Sequence, residues 1–379
     1  MSRHCYQINL QEHFGGGEVY TQFFTRALRD FGYEVSLLVS PNAKFWTGMD
    51  LAGARVVPVE ENEILAALPK CKSWVLTHGS LPLDLRLAIC SVHFLSAIAH
   101  MPLLGRNPKS YEHYDLVFAV SNYVLDGLKA APNTDAYAEP LYGVAQLAGS
   151  RADAEQEIIA ESVYDWDQRK LRDRVLSHLH PLYCRWQSKR CFEKRDGITL
   201  GIVSRLTPIK QFPQQFHIIA LILANFPSIN LEIFGSGGYA SVRDLRQALQ
   251  PVARQVRFWG QQHKVAAVYR QIDFLLTGLP EKEALGLNVI EAQACGTPVI
   301  AVNAPPFTET VVAGRTGFFY RDPREDAGAD FARLLRDIIA MPSFPDPRLA
   351  QDHITQFSFA AFRERLAKAL PEVERRLLI

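Results

Sequence analysis

What most constrains this chain is an alternation repeated along its length: a short apolar run, a loop with glycine or proline, then apolar residues at helical spacing. In the first block Cys5 to Leu10 reads as a strand and Phe14-Gly15-Gly16-Gly17 as a loop. Val19 to Phe31 follows as a helix with Val19, Phe23, Phe24, Ala27, Leu28 and Phe31 on one face, closed by Gly32. Glu34 to Val39, Arg55 to Val59, Ser73 to Thr77 and Leu116 to Val120 read as further strands. This rhythm predicts a parallel sheet covered by helices on both faces. A second block opens at Ile198, with strands expected at Ile198 to Val203, Leu231 to Phe234, Val256 to Trp259, Phe274 to Leu276 and Val299 to Val302. Helices are expected at Phe212 to Phe226, Ser241 to Leu249 and Leu287 to Ala294, and the tail from Phe357 to Leu378 reads as a last amphipathic helix. Two α/β blocks in tandem predict two Rossmann-like domains facing across a cleft, with ligands at the carboxyl ends of the strands.

The 379 residues suit two domains rather than one. The boundaries expected are 1–149 and 198–355 for the two α/β domains, with 150–197 between them and 356–379 as the tail. The segment 150–197 has an acidic start (Asp153, Glu155, Glu157, Glu161) and then a basic, aromatic stretch. That stretch holds Arg169, Lys170, Arg172, Arg174, Arg185, Lys189, Arg190, Lys194 and Arg195, with Trp166, Tyr183, Trp186 and Phe192 among them. It reads as a helical linker with a charged face, or as a patch at 165–195 for an anionic membrane surface or a lipid-diphosphate acceptor. The net charge of +1 gives no global field for nucleic acid, so none is expected as a partner. The cysteines at 5, 71, 90, 184, 191 and 295 show neither a C-x-x-C pair nor zinc spacing and read as reduced thiols. With no signal-peptide pattern and no apolar run near the roughly 18 residues of a membrane span, a cytoplasmic location is expected.

Chemistry concentrates between Pro280 and Pro298. Gly286 precedes the helix Leu287 to Ala294, with Asn288 and Val289 in its first turn, and a helix N-terminus offers unpaired amides to a phosphate. Glu283 stands before the helix and Glu291 within it. The rise of a helix would put them about 12 Å apart, beyond the roughly 5 to 9.5 Å of a glycosidase pair. Two carboxylates gripping separate parts of a long ligand fit better. Arg205 and Lys210 follow the strand Ile198 to Val203, where guanidinium and ammonium groups suit a diphosphate.

These residues resemble the retaining GT-B glycosyltransferases of family 4, the group 1 transferases, most strongly over 198–325. Glu283 and Glu291 are similar to that family's Glu-x7-Glu motif, and Arg205 with Lys210 to its post-strand cations. Gly235-Ser236-Gly237 resembles its glycine turn, Phe258-Trp259-Gly260 the segment near the nucleobase, and Glu309 with Gly317 its closing pattern. In the first block Gly15-Gly16-Gly17-Glu18 resembles the glycine loop, with Gly16 and Gly17 near the donor, and His100 resembles the histidine near the donor sugar. His78 likewise follows an apolar segment. Pro140 to Ala145 departs from the family's Pro-Asn-Gly-Val-Asp, and the basic stretch is not a general family feature.

The resemblance implies transfer of a sugar, with retention, from a nucleoside-diphosphate sugar to a glycan or lipid-linked acceptor. It implies no metal and no cofactor beyond the donor. Arg205 and Lys210 would then meet the diphosphate together with amides at Gly286 and Leu287, Glu291 the ribose, and Glu283 the sugar. It also implies that the C-terminal helix crosses back to complete the first domain. Alternatives on the same fold are a nucleotide-sugar epimerase or hydrolase, or a catalytically silent binding protein. An NAD-dependent dehydrogenase lacks its glycine fingerprint here.

Overall fold

The computed structural model describes residues 3–145, 157–165, 175 and 190–378. They form two compact units, one of residues 1–145 and 355–379, the other of 146–354. Most of the basic stretch expected at 165–195, including Trp166 and Trp186, lies outside the described residues.

In the first unit six strands run parallel in the order β3-β2-β1-β4-β5-β6. They are β1 (His4–Asn9), β2 (Glu34–Val39), β3 (Arg55–Pro58), β4 (Trp74–Thr77), β5 (Phe94–Ala99) and β6 (Leu116–Ala119). The order reverses between β1 and β4, which opens a crevice at their carboxyl ends. The glycine segment follows β1 and His78 follows β4, so both lie at that reversal. The helix after β1 starts at Gly16, earlier than apolar periodicity placed it. Two side-chain bonds hold this early turn: within the helix Thr21 Oγ1 donates to the Gly17 carbonyl at 2.9 Å, and from the end of β1 Asn9 Nδ2 donates to Thr21 Oγ1 at 3.0 Å. The terminal helix Phe359–Leu378 belongs to this unit and sets Phe362 among Tyr20, Phe23 and Phe24. The departing segment 140–145 supports that packing: the Ala145 amide donates to the Phe357 carbonyl, and Tyr142 packs against Phe357.

The second unit repeats the plan, with order β12-β11-β10-β7-β8-β9. Its strands are β7 (Ile198–Val203), β8 (Ile229–Phe234), β9 (Val256–Phe258), β10 (Phe274–Leu276), β11 (Val299–Val302) and β12 (Gly317–Tyr320). Alternation along β7 and β8 sends Leu200, Ile202, Leu231 and Ile233 into one core layer, Val203 and Phe234 into the other. The reversal here falls between β7 and β10. Strands β5 and β12 were not expected from sequence. Ser96 interrupts the apolar run of β5, and only the fold shows it buried and accepting from Trp74 Nε1 at 2.7 Å. Among the described residues no helix is long and apolar enough to cross a membrane.

Candidate active site

The second unit gathers its cations and carboxylates at the carboxyl ends of β7 and β10. Beyond β7 the chain passes Arg205, which is exposed, and makes a short turn at Pro208–Lys210. Lys210 Nζ forms an ion pair with Glu283 Oε2, both side chains being about four-fifths buried. Glu283 sits in the turn after β10, where its amide donates to the Pro280 carbonyl at 2.9 Å and its Oε1 accepts from the Ala284 amide at 3.3 Å. The cation expected on a diphosphate and the carboxylate expected on a sugar therefore hold one another here.

The helix Leu287–Ala294 begins directly after this turn, as its sequence pattern predicted. Gly286 is its N-cap, with φ +82°, a backbone conformation that costs a side-chain-bearing residue about 1–2 kcal/mol. A Cβ there would also stand 3.1 Å from Val289 Cγ2. The first-turn amides at Leu287 and Asn288 have no intrahelical acceptors, and glycine supplies no side-chain oxygen to cap them. Asn288 Nδ2 donates to the Val203 carbonyl at 3.2 Å, tying the helix start to the end of β7. Val289 is fully buried and serves as core.

Glu291 lies one turn further along. Burial pushes its carboxyl up to about 7, opposed by a hydrogen bond from the Tyr269 hydroxyl at 3.1 Å. Tyr269 ends the short helix Val265–Tyr269 and its ring is wholly buried. Nothing in its sequence surroundings distinguishes it from an ordinary core tyrosine.

Other expected residues fall into two groups. Gly235 is dictated by a close approach of backbone: a Cβ there would stand 1.9 Å from the Ser204 carbonyl oxygen, so the loops after β7 and β8 meet only if it is glycine. Glu309 lies on the helix Phe307–Thr310, and Gly317 opens β12. Trp259, expected near the nucleobase, is instead core: it is 0 % exposed, stacks on Phe234 and gives its Nε1–H to Glu232 at 2.7 Å. Phe258 lies beneath the Arg246 guanidinium. Their side chains thus hold the fold.

Glu232 explains part of the basic stretch. It is completely buried on β8 and accepts from Arg195 Nη2 at 2.9 Å and Arg257 Nη2 at 2.6 Å besides Trp259. Lys194 pairs with Asp273, and Arg190 covers Trp259 at 4.6 Å and donates to the Phe258 carbonyl. Three basic residues that sequence offered to an anionic surface therefore bind the unit's own groups.

In the first unit, Gly16 and Gly17 form the first helical turn, with open space above Gly17. His100 follows β5, and its Nε2 lies 3.1 Å from His78 Nδ1. Burial drives His100 down to about 4, and burial with its histidine neighbour drives His78 well below its usual value. Both rings are neutral near pH 7.

Residues 186–347 match the family described as glycosyl transferases, group 1. The chain is 32 % identical over 152 residues to a D-inositol 3-phosphate glycosyltransferase of Rhodococcus opacus (strain B4), covering 37 % of this chain and 33 % of that one. Against the enzyme of the same description from Corynebacterium jeikeium (strain K411) it is 30 % identical over 188 residues, 46 % of this chain and 43 % of the relative. The matches thus span well under half of these curated relatives. Over nearly the whole chain its fold is that of Anabaena HepE in complex with UDP and glucose, with TM-score 0.69, 16 % identity, and coverage of 98 % and 100 %. It is also that of the sucrose-phosphate synthase of Thermosynechococcus elongatus, with TM-score 0.68, 16 % identity, and coverage of 99 % and 100 %. The chain therefore has the GT-B fold, and its match to the group 1 glycosyl transferases spans residues 186–347.

Proposed function

We propose that this GT-B chain, whose second unit matches the group 1 glycosyl transferases, is a retaining glycosyltransferase that takes a sugar from a nucleoside-diphosphate donor. One observation carries the reading: the Lys210–Glu283 pair and the glycine-capped helix start share the carboxyl ends of β7 and β10, where the strand order reverses. A diphosphate arriving there meets Arg205, Lys210 and the amides of Leu287 and Asn288. As the bond from the anomeric carbon to the β-phosphate oxygen breaks, these groups meet the charge that develops on the leaving diphosphate, in place of a metal. Lys210 exchanges Glu283 for phosphate, and the released carboxylate is free to accept hydroxyls of the sugar. Glu291 accepts from the ribose hydroxyls. The acceptor hydroxyl attacks the face the diphosphate leaves, and the donor phosphate takes its proton, so configuration is retained.

HepE bound to UDP and glucose supports UDP-sugars as the first donors to try. The relatives' description supports inositol phosphates among the first acceptors, beside glycans and lipid-linked sugars. Peripheral contact with an anionic membrane is proposed as well, through the basic residues of 165–195 other than Arg190, Lys194 and Arg195, and salt-sensitive sedimentation with anionic vesicles tests it.

The deciding experiment measures nucleoside-diphosphate release from a panel of donors with and without acceptor, and the anomeric configuration of the product by NMR. Acceptor-dependent release with a retained configuration is expected. Lys210→Ala and Glu283→Ala should each lower turnover by on the order of 100-fold; each also leaves a largely buried charge unpaired, so turnover is compared well below the unfolding temperature of each variant. Full turnover in both variants would refute the site. Donor consumption that ignores the acceptor would indicate hydrolysis or epimerisation instead.

A further inference from the structure

The first unit buries a polar chain that the donor-gripping residues do not use. Gln7 lies on β1, and its Oε1 accepts from Thr25 Oγ1 at 3.2 Å and lies 2.9 Å from His78 Nε2. His78 Nδ1 lies 3.1 Å from His100 Nε2. Parallel pairing of β1 with β4 and of β4 with β5 brings these three groups side by side at the carboxyl ends of the strands. The two imidazoles stack with centroids 5.4 Å apart, and Tyr20 stands edge-on to His100 at 4.9 Å. Tyr20 is itself anchored, its hydroxyl donating to the Leu141 carbonyl at 2.8 Å.

Elementary donor and acceptor rules then run along the chain. An amide oxygen only accepts, so His78 Nε2 must carry the hydrogen. A neutral imidazole has one N–H, so His78 Nδ1 presents a lone pair and His100 Nε2 must donate to it. His100 Nδ1 is left with no hydrogen-bond partner among the described residues, on a residue that is only part-buried. We propose that His78, directed by Gln7, is a positioning residue that holds His100 as its Nε2–H tautomer and so offers His100 Nδ1 as an acceptor to a hydroxyl of the sugar substrate. The functional half of this inference rests on the glycosyltransferase reading; the tautomer itself does not. The direction has a visible cost, because Gln7 Nε2 is buried without a partner. Turning that amide round would reverse every hydrogen and make His100 Nδ1 a donor.

The test is two-bond 1H–15N NMR of histidine-labelled full-length protein without substrate, assigned with His78 and His100 variants. His100 is expected as a single Nε2–H tautomer at pH 7. His78→Phe should give a mixture of tautomers, whereas His78→Asn, whose Oδ1 takes the place of Nδ1 and can accept from His100, should restore the first state. Turnover should follow, with kcat/KM falling by up to about tenfold in His78→Phe, the loss of one neutral hydrogen bond, and recovering in His78→Asn. An Nδ1–H tautomer of His100 in the unaltered protein overturns the proposal, and that spectrum decides even if the phenylalanine variant does not fold. An unchanged His100 tautomer in folded His78→Phe overturns it equally. Absence of transfer from every donor with the expected tautomer present would instead refute the parent reading alone.

Discussion

Glu291→Gln separates binding from stability at one atom pair. A glutamate in the unfolded chain ionises near 4.5, whereas burial holds Glu291 near 7. Between those values the native state binds more protons than the unfolded state, so the unfolding free energy falls as pH rises from 4.5 to 7 and stays lowered above 7. The gap corresponds to a penalty of up to roughly 3 kcal/mol at neutral and higher pH. Glutamine has no charge to desolvate and keeps an oxygen for Tyr269. The variant should therefore unfold above the parent at pH 8, by at most about 10 °C for a unit of this size, and the difference should close toward pH 5. Donor binding should move the other way. The protonated acid has lost acceptor capacity for a ribose hydroxyl, so the parent's donor affinity should drop about tenfold between pH 8 and pH 6. The variant's should be weak and flat. Calorimetric unfolding at several pH values, paired with donor titrations under the same conditions, measures both. An unfolding-temperature difference that is the same at pH 5 and pH 8 would refute the reasoning, since Glu291 would then ionise as an ordinary surface carboxylate does.

Three further substitutions test the structure elsewhere. Glu232→Ala should lower stability by about 3 kcal/mol in urea unfolding, because it leaves Arg195, Arg257 and Trp259 without their shared acceptor; Glu232→Gln should cost less. Trp259→Phe should cost about 1–2 kcal/mol through the lost bond to Glu232 while leaving donor affinity unchanged, as a core residue would. Gly286→Ala should cost about 1–2 kcal/mol from its left-handed backbone, and should weaken donor binding more than thermal unfolding suggests, since the first-turn amides would shift.

Local pattern carried much of the fold. The apolar run Glu34–Val39 and the helix Leu287–Ala294 have the bounds that periodicity assigns them. Those signals act over a few residues: strand alternation, helical spacing and a glycine that stops or caps an element. The early start at Gly16 escaped because glycine has low helix propensity, and the turn is held through Thr21 by Asn9, which lies on β1 outside the helix's own pattern. Strand β5 escaped because a buried serine looks like a break until its partner Trp74 is known. Trp259 beside a glycine looks like a ligand contact until the buried carboxylate of Glu232 is found behind it.

The sequence by itself determined that the chain would be two α/β units and which charged residues follow the first strand of the second. It also placed a glycine before the helix that bears Glu291. Only the tertiary structure decided which groups touch. Lys210 and Glu283 are 73 residues apart and His78 and His100 are 22 apart, yet each pair makes direct contact. Parallel strands are joined by long crossovers, so neighbours at their carboxyl ends are chosen by strand order and register, and no local pattern encodes either.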